Sequence, residues 1–366
     1  MAPTLRLSSS SQLAVKCEAR HTSEMYRLPM IGTLRATEQK DLPALARFLI
    51  RVYKFGSSDY HADTELLKWK YLRPRPGWRG GRSYFLEKEG QIVAHCGVCP
   101  AIFQLPNGNA VDSLTLMDWA ADYSSPGAGI VLFRKLMEMA STSYIIGGVP
   151  AARQIHRRIG FQPVGEAQTY AGWLRPLREF RIRRRTLRSA LRVLHGLAHP
   201  LRNRSRVTGA WDFTPVDQFD DSLLPILNRA ERPWTFCKRT LADLNYLLEC
   251  PHLKMRGFLL RRHGNVVGYF IIAIAEWEAR LLDLMVDSDC TNDWNLACAI
   301  VTRAAKLDPD ICRIRILATL PLLRQALVRN GYWCQYKEPI VIHDPSRSLD
   351  RAFPVSFQLF DNDSGY

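Results

Sequence analysis

Two rhythms of apolar residues alternate along the first half of the chain, one with the period of a helix and one with that of a strand. Residues 31–41 have strand character, and Leu42, Leu45, Phe48, Leu49 and Val52 then recur at the spacing that turns one helix face toward a core. A Pro/Gly-rich loop, RPRPGWRGGR, breaks the pattern. Two strand-like runs follow in SYFLEKEGQIVAHCGVCPAIFQL, with Glu89 and Gly90 marking a hairpin turn between them. The turn PNGN leads into a further strand, AVDSLTLMDWAA. A serine, proline and glycine loop then opens a helix whose Phe133, Leu136, Met137 and Ala140 form the apolar face. SYIIGGV reads as a short buried strand, and PAARQIHRRIG as a helix opened by Pro150 and closed by Gly160. The predicted order is strand, helix, antiparallel strands, strand, glycine loop, helix, strand, helix: an α/β (α+β) chain built on a mixed, largely antiparallel sheet.

The second half repeats the first. Tyr246 stands 175 positions after Tyr71, Gly264 stands 174 after Gly90, and Gly331 stands 171 after Gly160. Such a nearly constant offset favours duplication over coincidence. Between the halves, residues 175–206 hold eleven arginines against one acid, Glu179, and so carry +10 of the chain's net +15. Leu187, Leu191 and Leu194 in this stretch predict a short basic amphipathic helix. It can cover a domain seam, touch anionic lipid at the inner face of the membrane, or bind a polyanion. With the charge confined there, no specific nucleic-acid binding is expected. The predicted organisation is a disordered segment 1–29, a first domain 30–174, a basic connector 175–206 and a second domain 207–366.

Composition adds bounds. The 366 residues, 47% hydrophobic and 23% charged, suit a globular chain of two domains. The most apolar run, VVGYFIIAIA, is too short to span a bilayer and reads as a buried strand. The N-terminus lacks the apolar core of a secretory signal, so a cytoplasmic location is expected, with Met25 and Met30 as further candidate starts. Nine cysteines are scattered, and the close pair Cys96 and Cys99 would point to opposite faces of a strand. No metal site is expected; buried structural thiols are.

Two segments, SSPGAG and ARQIHRRIGF, carry a resemblance. The first matches (Gln/Arg)-x-x-Gly-x-(Gly/Ala) at Ser124, Gly127 and Gly129, and the second is similar to Ala-x-x-x-Tyr-x-x-x-Gly-Phe. In this order and separation they resemble the GCN5-related N-acetyltransferase superfamily, here in a tandem two-domain form. The resemblance implies two GNAT-like domains, the first holding the pyrophosphate of acetyl-CoA or another acyl-CoA on Ser124, Ser125, Gly127, Ala128, Gly129 and Ile130. Amides at a helix start can hold that charge where no side chain blocks them, and Gly127 and Gly129 would leave the way open. Ser124 replaces the family's Gln or Arg, which removes one charged contact. His156 stands where many relatives have a tyrosine that protonates the leaving thiolate. Ala152, Ile155 and Ile159 put it on an apolar face, so it reads equally as a core histidine or as a general acid holding a proton near neutral pH.

An amine acceptor must lose a proton before it attacks. Asp118 and Asp112, in the strand before the loop, are the candidate bases, a half-buried acid there being expected to have a raised pKa; Glu87 and Glu89 read as hairpin charges. The second copy has Asp287, Asp289 and Asp293 and no glycine where its loop should stand, so its acids are expected to repel a pyrophosphate. They form no calcium loop, because Asn292 and Cys298 occupy the turn-glycine and glutamate positions. The resemblance thus implies an N-acyltransferase acting on a small-molecule or saccharide amine held between the domains. Tandem relatives in envelope and exopolysaccharide assembly suggest an amino sugar. Two alternatives stay open: a Fem-type transferase fed by aminoacyl-tRNA, and a non-catalytic binding or scaffold protein.

Overall fold

The computed structural model describes residues 32–54, 63–182, 210–229, 232–349 and 354–362. The first half runs β1 (Thr33–Ala36), α1 (Leu42–Tyr53), α2 (Thr64–Leu67) with a π-helical turn over Lys68–Leu72, β2 (Ser83–Lys88), β3 (Gln91–Gln104), β4 (Ala110–Ala121), α3 (Ala128–Met137), β5 (Thr142–Ile146), α4 (Pro150–Arg158), β6 (Gln162–Trp173) and α5 (Pro176–Ile182). The second half repeats the scheme as β7 (Trp211–Val216), α6 (Leu224–Leu227), β8 (Thr235–Cys237), α7 (Leu241–Leu248), β9 (Lys254–Arg262), β10 (Asn265–Ala275), β11 (Glu278–Val286), α8 (Thr291–Lys306), β12 (Arg313–Ala318), α9 (Pro321–Arg329) and β13 (Trp333–His343), ending in β14 (Val355–Ser356). The predicted helices and strands of the first half are present. Sequence reading missed α2 with its π-turn, and β6.

The two half-sheets form one sheet, ordered β1-β2-β3-β4-β5-β13-β6-β12-β11-β10-β9-β7. The order reads the same from both ends once each strand is replaced by its repeat, so a pseudo-twofold axis passes between β13 and β6. Each half gives its last strand to the other: β13 pairs with β5, and β6 with β12. β4 and β5 are parallel and paired only over residues 113–115 and 142–144, after which β4 runs on without β5. β11 and β12 do the same over 278–281 and 313–316. Each half therefore has a slot between its two parallel strands.

One face of the first half carries α3 and α4, packed through Leu132, Phe133 and Leu136 onto Leu114, Leu116 and Ile145. The other face carries α1 and the π-turn, with Leu45, Phe48 and Tyr71 on Phe85, Cys99 and Met117. Cys96 and Cys99 do point to opposite faces. Pro100 is tolerated inside a long strand because its nitrogen faces a break in the neighbouring edge: Val98 N donates to Arg82 O before β2 begins, Ile102 O accepts from Lys238 N beyond β8, and among the described residues nothing pairs between. Of the basic connector, Arg175 donates to the carbonyls of Lys306, Asp308 and Ile311, tying α5 to the second half. The predicted amphipathic helix through Leu187, Leu191 and Leu194, like segment 1–29, lies outside the described residues.

Candidate active site

The first slot is shaped by a β-bulge. The β3–β4 register passes from His95 opposite Ala120 to Gly97 opposite Met117, so Asp118 and Trp119 together face Cys96, and Asp118 takes a left-handed φ of 48°. The bulge aims the Asp118 carboxylate at the π-turn, where Lys70 Nζ lies 2.7 Å away and the Tyr71 hydroxyl donates to it. The π-turn is what presents these two consecutive residues to one carboxylate. Behind them His95 is fully buried, its ring bridging Ser83 Oγ at 2.9 Å and Asp118 O at 3.0 Å. Burial pushes the imidazole pKa down to about 4, so His95 is neutral. Burial alone would raise the Asp118 pKa, but the Lys70 charge and the Tyr71 hydrogen bond overcome it and hold the group at about 2. The raised value expected from sequence is thus reversed: Asp118 is a fixed anion. Asp112, the other candidate base, sits six residues back on β4, roughly 20 Å along the strand, where its carbonyl accepts from Ser141 and Thr142.

The glycine loop opens α3 as expected, but its two glycines act differently. Gly127 caps the helix with φ 86°, and a Cβ there would meet nothing within 4 Å, so its outer side is open. Gly129 is closed: a Cβ would come within 2.9 Å of Ala121 Cβ and 3.0 Å of Trp119 Nε1. Its lack of a side chain serves helix-to-strand packing, which corrects the expectation that both glycines clear a path. The amides of Ala128 and Ile130 are spent on Ser125 O and Gly127 O, whereas those of Gly127 and Gly129 have no protein acceptor among the described residues. Ser124 bonds Asp122 Oδ1 through its amide and hydroxyl, and Arg51 neutralises the other oxygen of Asp122 at 2.7 Å.

His156 lies in an aromatic box. Its ring stacks on Phe133 at 5.5 Å and 27°, beside Phe161 and Trp119, and Trp119 Nε1 donates to Gly129 O. His156 is 3% exposed, Nδ1 has no partner among the described residues, and burial lowers its pKa to about 4. It therefore holds no proton at neutral pH, and the general-acid expectation fails on desolvation.

The second slot shows what fills such a gap. Asp122 N bonds Val93 O in the first half and Asp287 N bonds Val267 O in the second, which sets Trp119 against Leu284 and Asp118 against Asp283. At Leu284, the side-chain amide of Gln358 accepts from the backbone N–H at 2.8 Å and donates to the backbone carbonyl at 2.9 Å. Across the gap, Thr319 Oγ1 bonds Val355 O and Phe357 N, and Phe357 is fully buried against Tyr144 of the first half. The tail 354–362 thus plugs the second slot. Asp283, the counterpart of Asp118, is held by both arms of Arg239 and by the Tyr269 hydroxyl. The loop acids expected to repel a pyrophosphate are forked by Arg229, which bonds Asp287 at 3.0 Å and Asp289 at 2.8 Å. Occupancy by the tail, rather than repulsion, closes this slot.

Among the described residues the first slot has no such plug. Trp119 O takes the Tyr53 hydroxyl at 3.0 Å, and Trp119, the counterpart of Leu284, has no register partner on β3 or β5 and meets no side-chain amide among the described residues. The slot's far wall is Gly147 and Gly148, both with left-handed φ, where the second half has Ala318 and Thr319. Glu338 of β13 lies over Gly147, its Oε1 2.6 Å from where a Cβ would stand. Sequence reading missed Glu338, because only the strand exchange brings it to the first half. No cluster of metal-ligating side chains occurs among the described residues.

No protein-family model matches the sequence, and no curated protein matches it significantly. Solved structures do. A GCN5-related N-acetyltransferase from Anabaena variabilis superposes with TM-score 0.57 at 12% identity, over 85% of this chain and 72% of that one. A putative acetyltransferase from Pyrococcus horikoshii gives 0.54 at 11% over 90% and 95%. Saccharomyces cerevisiae N-myristoyltransferase, solved with myristoyl-CoA, gives 0.55 at 11% over 87% and 84%. The chain has the fold of the GCN5-related N-acetyltransferases, in tandem. No helix among the described residues is long and apolar enough to cross a membrane.

Proposed function

We propose that the protein is an N-acyltransferase that moves an acyl group from acyl-CoA to an amine, using the first slot alone. The observation that carries this reading is the asymmetry between the slots: the second is filled by an amide of the chain's own tail, while in the first the equivalent residue, Trp119, has no register partner and meets no such amide among the described residues. A pantetheine arm carries amides of the same kind. Its pyrophosphate would be held by the Gly127 and Gly129 amides at the start of α3, where the helix dipole favours negative charge. The open side of Gly127 fits such a group; the closed side of Gly129 directs it toward the cap. Bound acyl-CoA supplies an activated thioester carbonyl. The chain supplies the slot that orients it, and the Lys70, Tyr71 and Asp118 cluster that holds the bulge in shape. The acceptor, a small-molecule or saccharide amine, would approach from the α1 face between the halves.

The test is the thermal midpoint with and without millimolar acetyl-CoA or CoA. Ligand at a hundred times its dissociation constant stabilises by about 2.7 kcal/mol. The wild type should shift upward. Gly127→Asn, which tolerates a left-handed φ, should keep most of the shift, and Gly127→Glu, which places a carboxylate at the cap, should lose it. No shift in the wild type defeats this reading. It would favour a non-catalytic binding module, for which the specific observation is the Trp119 indole packed over Phe133 and His156 beside the slot.

A further inference from the structure

Neither sequence-predicted carboxylate can take a proton from an amine in the first slot: Asp118 is locked by Lys70 and Tyr71, and Asp112 is at the far end of β4. The second half offers another. Ile340, two residues along β13 from Glu338, pairs with Ile146 and packs in the core on the α1 side of the sheet, so Glu338 is on that side too. Its carboxylate covers Gly147 at the slot's wall, and only a glycine there leaves it room. Glu338 has no hydrogen bond or ion pair among the described residues, unlike Asp118 and Asp283. On the repeat axis its register partner is Ala167, so the second slot has no equivalent acid.

Resting on the acyl-transfer reading, we infer that Glu338, delivered by the exchanged strand, is the catalytic base of the first slot. The carboxylate takes a proton from the acceptor ammonium. That first proton passes on to solvent; the freed nitrogen lone pair attacks the thioester carbonyl carbon, the C–N bond forms, Glu338 takes the second nitrogen proton as the C–S bond breaks, and the departing thiolate receives that proton, giving amide and CoA. The groups facing Glu338 support this. Partial burial raises its pKa, opposed by Arg153 of α4 and Arg315 of β12, which keep the group ionisable. Arg153 is anchored by its own bond to Gly148 O at 2.7 Å.

The experiment measures CoA release from acetyl-CoA by the full-length protein and by Glu338→Gln, with a panel of primary amines (spermidine, glucosamine, a lysine peptide) and with hydroxylamine. Hydroxylamine is already neutral at pH 7 and needs no base to free its lone pair. Glu338→Gln should lose about 10²-fold or more in kcat/KM toward whichever primary amine is accepted. The loss should shrink as pH rises toward the amine's own pKa, with transfer to hydroxylamine changed less than tenfold. The acetyl-CoA midpoint shift should persist. An unchanged pH profile, or equal losses with both nucleophiles, overturns the role of Glu338 and leaves acyl transfer standing. No midpoint shift and no CoA release by the wild type with any nucleophile overturns both.

Discussion

Asp118 and Glu338 are two carboxylates whose surroundings drive their protonation apart, and the difference sorts their roles. Asp118 sits on a buried lysine. Breaking a fully buried pair costs about 3–5 kcal/mol. A third of the Asp118 side chain remains accessible, so Asp118→Asn is expected to cost less, about 2–3 kcal/mol in urea unfolding at pH 7. Its folded pKa of about 2 lies below the unfolded carboxylate value, so the stabilisation is complete above about pH 4 and lost as pH falls through 2. The gap between wild type and Asp118→Asn should therefore be roughly halved at pH 3. A gap that does not change with pH would mean that the Lys70 pair does not carry it. Glu338 has the opposite sign. With its folded pKa raised, ionising it at neutral pH costs stability, so Glu338→Gln should leave the thermal midpoint equal to or above that of the wild type.

At the scale of elements, the slot is a property of two parallel strands that part after three or four paired residues, and the tail is what the second copy puts there. Gln358→Ala would leave both backbone groups of Leu284 unpartnered, about 1–3 kcal/mol. Phe357→Ala would empty a fully buried site, about 3–5 kcal/mol. Both losses should appear in chemical unfolding. A neutral Gln358→Ala would show that the amide is not what seats the tail. Apart from α2 and β6, the helices and strands of the first copy were legible from periodicity, and the Gly160 and Gly331 offset found the repeat. The Asp118 bulge, the π-turn and the exchange were not, because each depends on register between distant strands, which no local pattern encodes. For the same reason Asp118 was found but its pKa misjudged: Lys70 was hidden in an unread turn. Glu338 was invisible until β13 lay beside β5.

For the whole molecule, the exchange of β6 and β13 means that neither copy completes its sheet alone. Within residues 32–182, β5 would lose β13, exposing Ile145 and Ile146, and β6 would lose both neighbours. The largest apolar cluster runs through both halves, from Tyr144 and Tyr170 to Leu284 and Ile316. Buried surface that crosses the boundary couples the two unfolding equilibria, so the protein should melt in one calorimetric transition whose van't Hoff and calorimetric enthalpies agree. Joined by the connector, two autonomous domains would instead give separable transitions, and the first would be expected to shift with acetyl-CoA while the second stayed in place. In the coupled molecule a ligand that binds only the first slot must raise the single midpoint, and Phe357→Ala in the second half must lower it, each reported equally by fluorescence and by circular dichroism. Two resolved transitions, or a ligand shift confined to one of them, would show that the exchanged strands do not bind the halves into one folding unit.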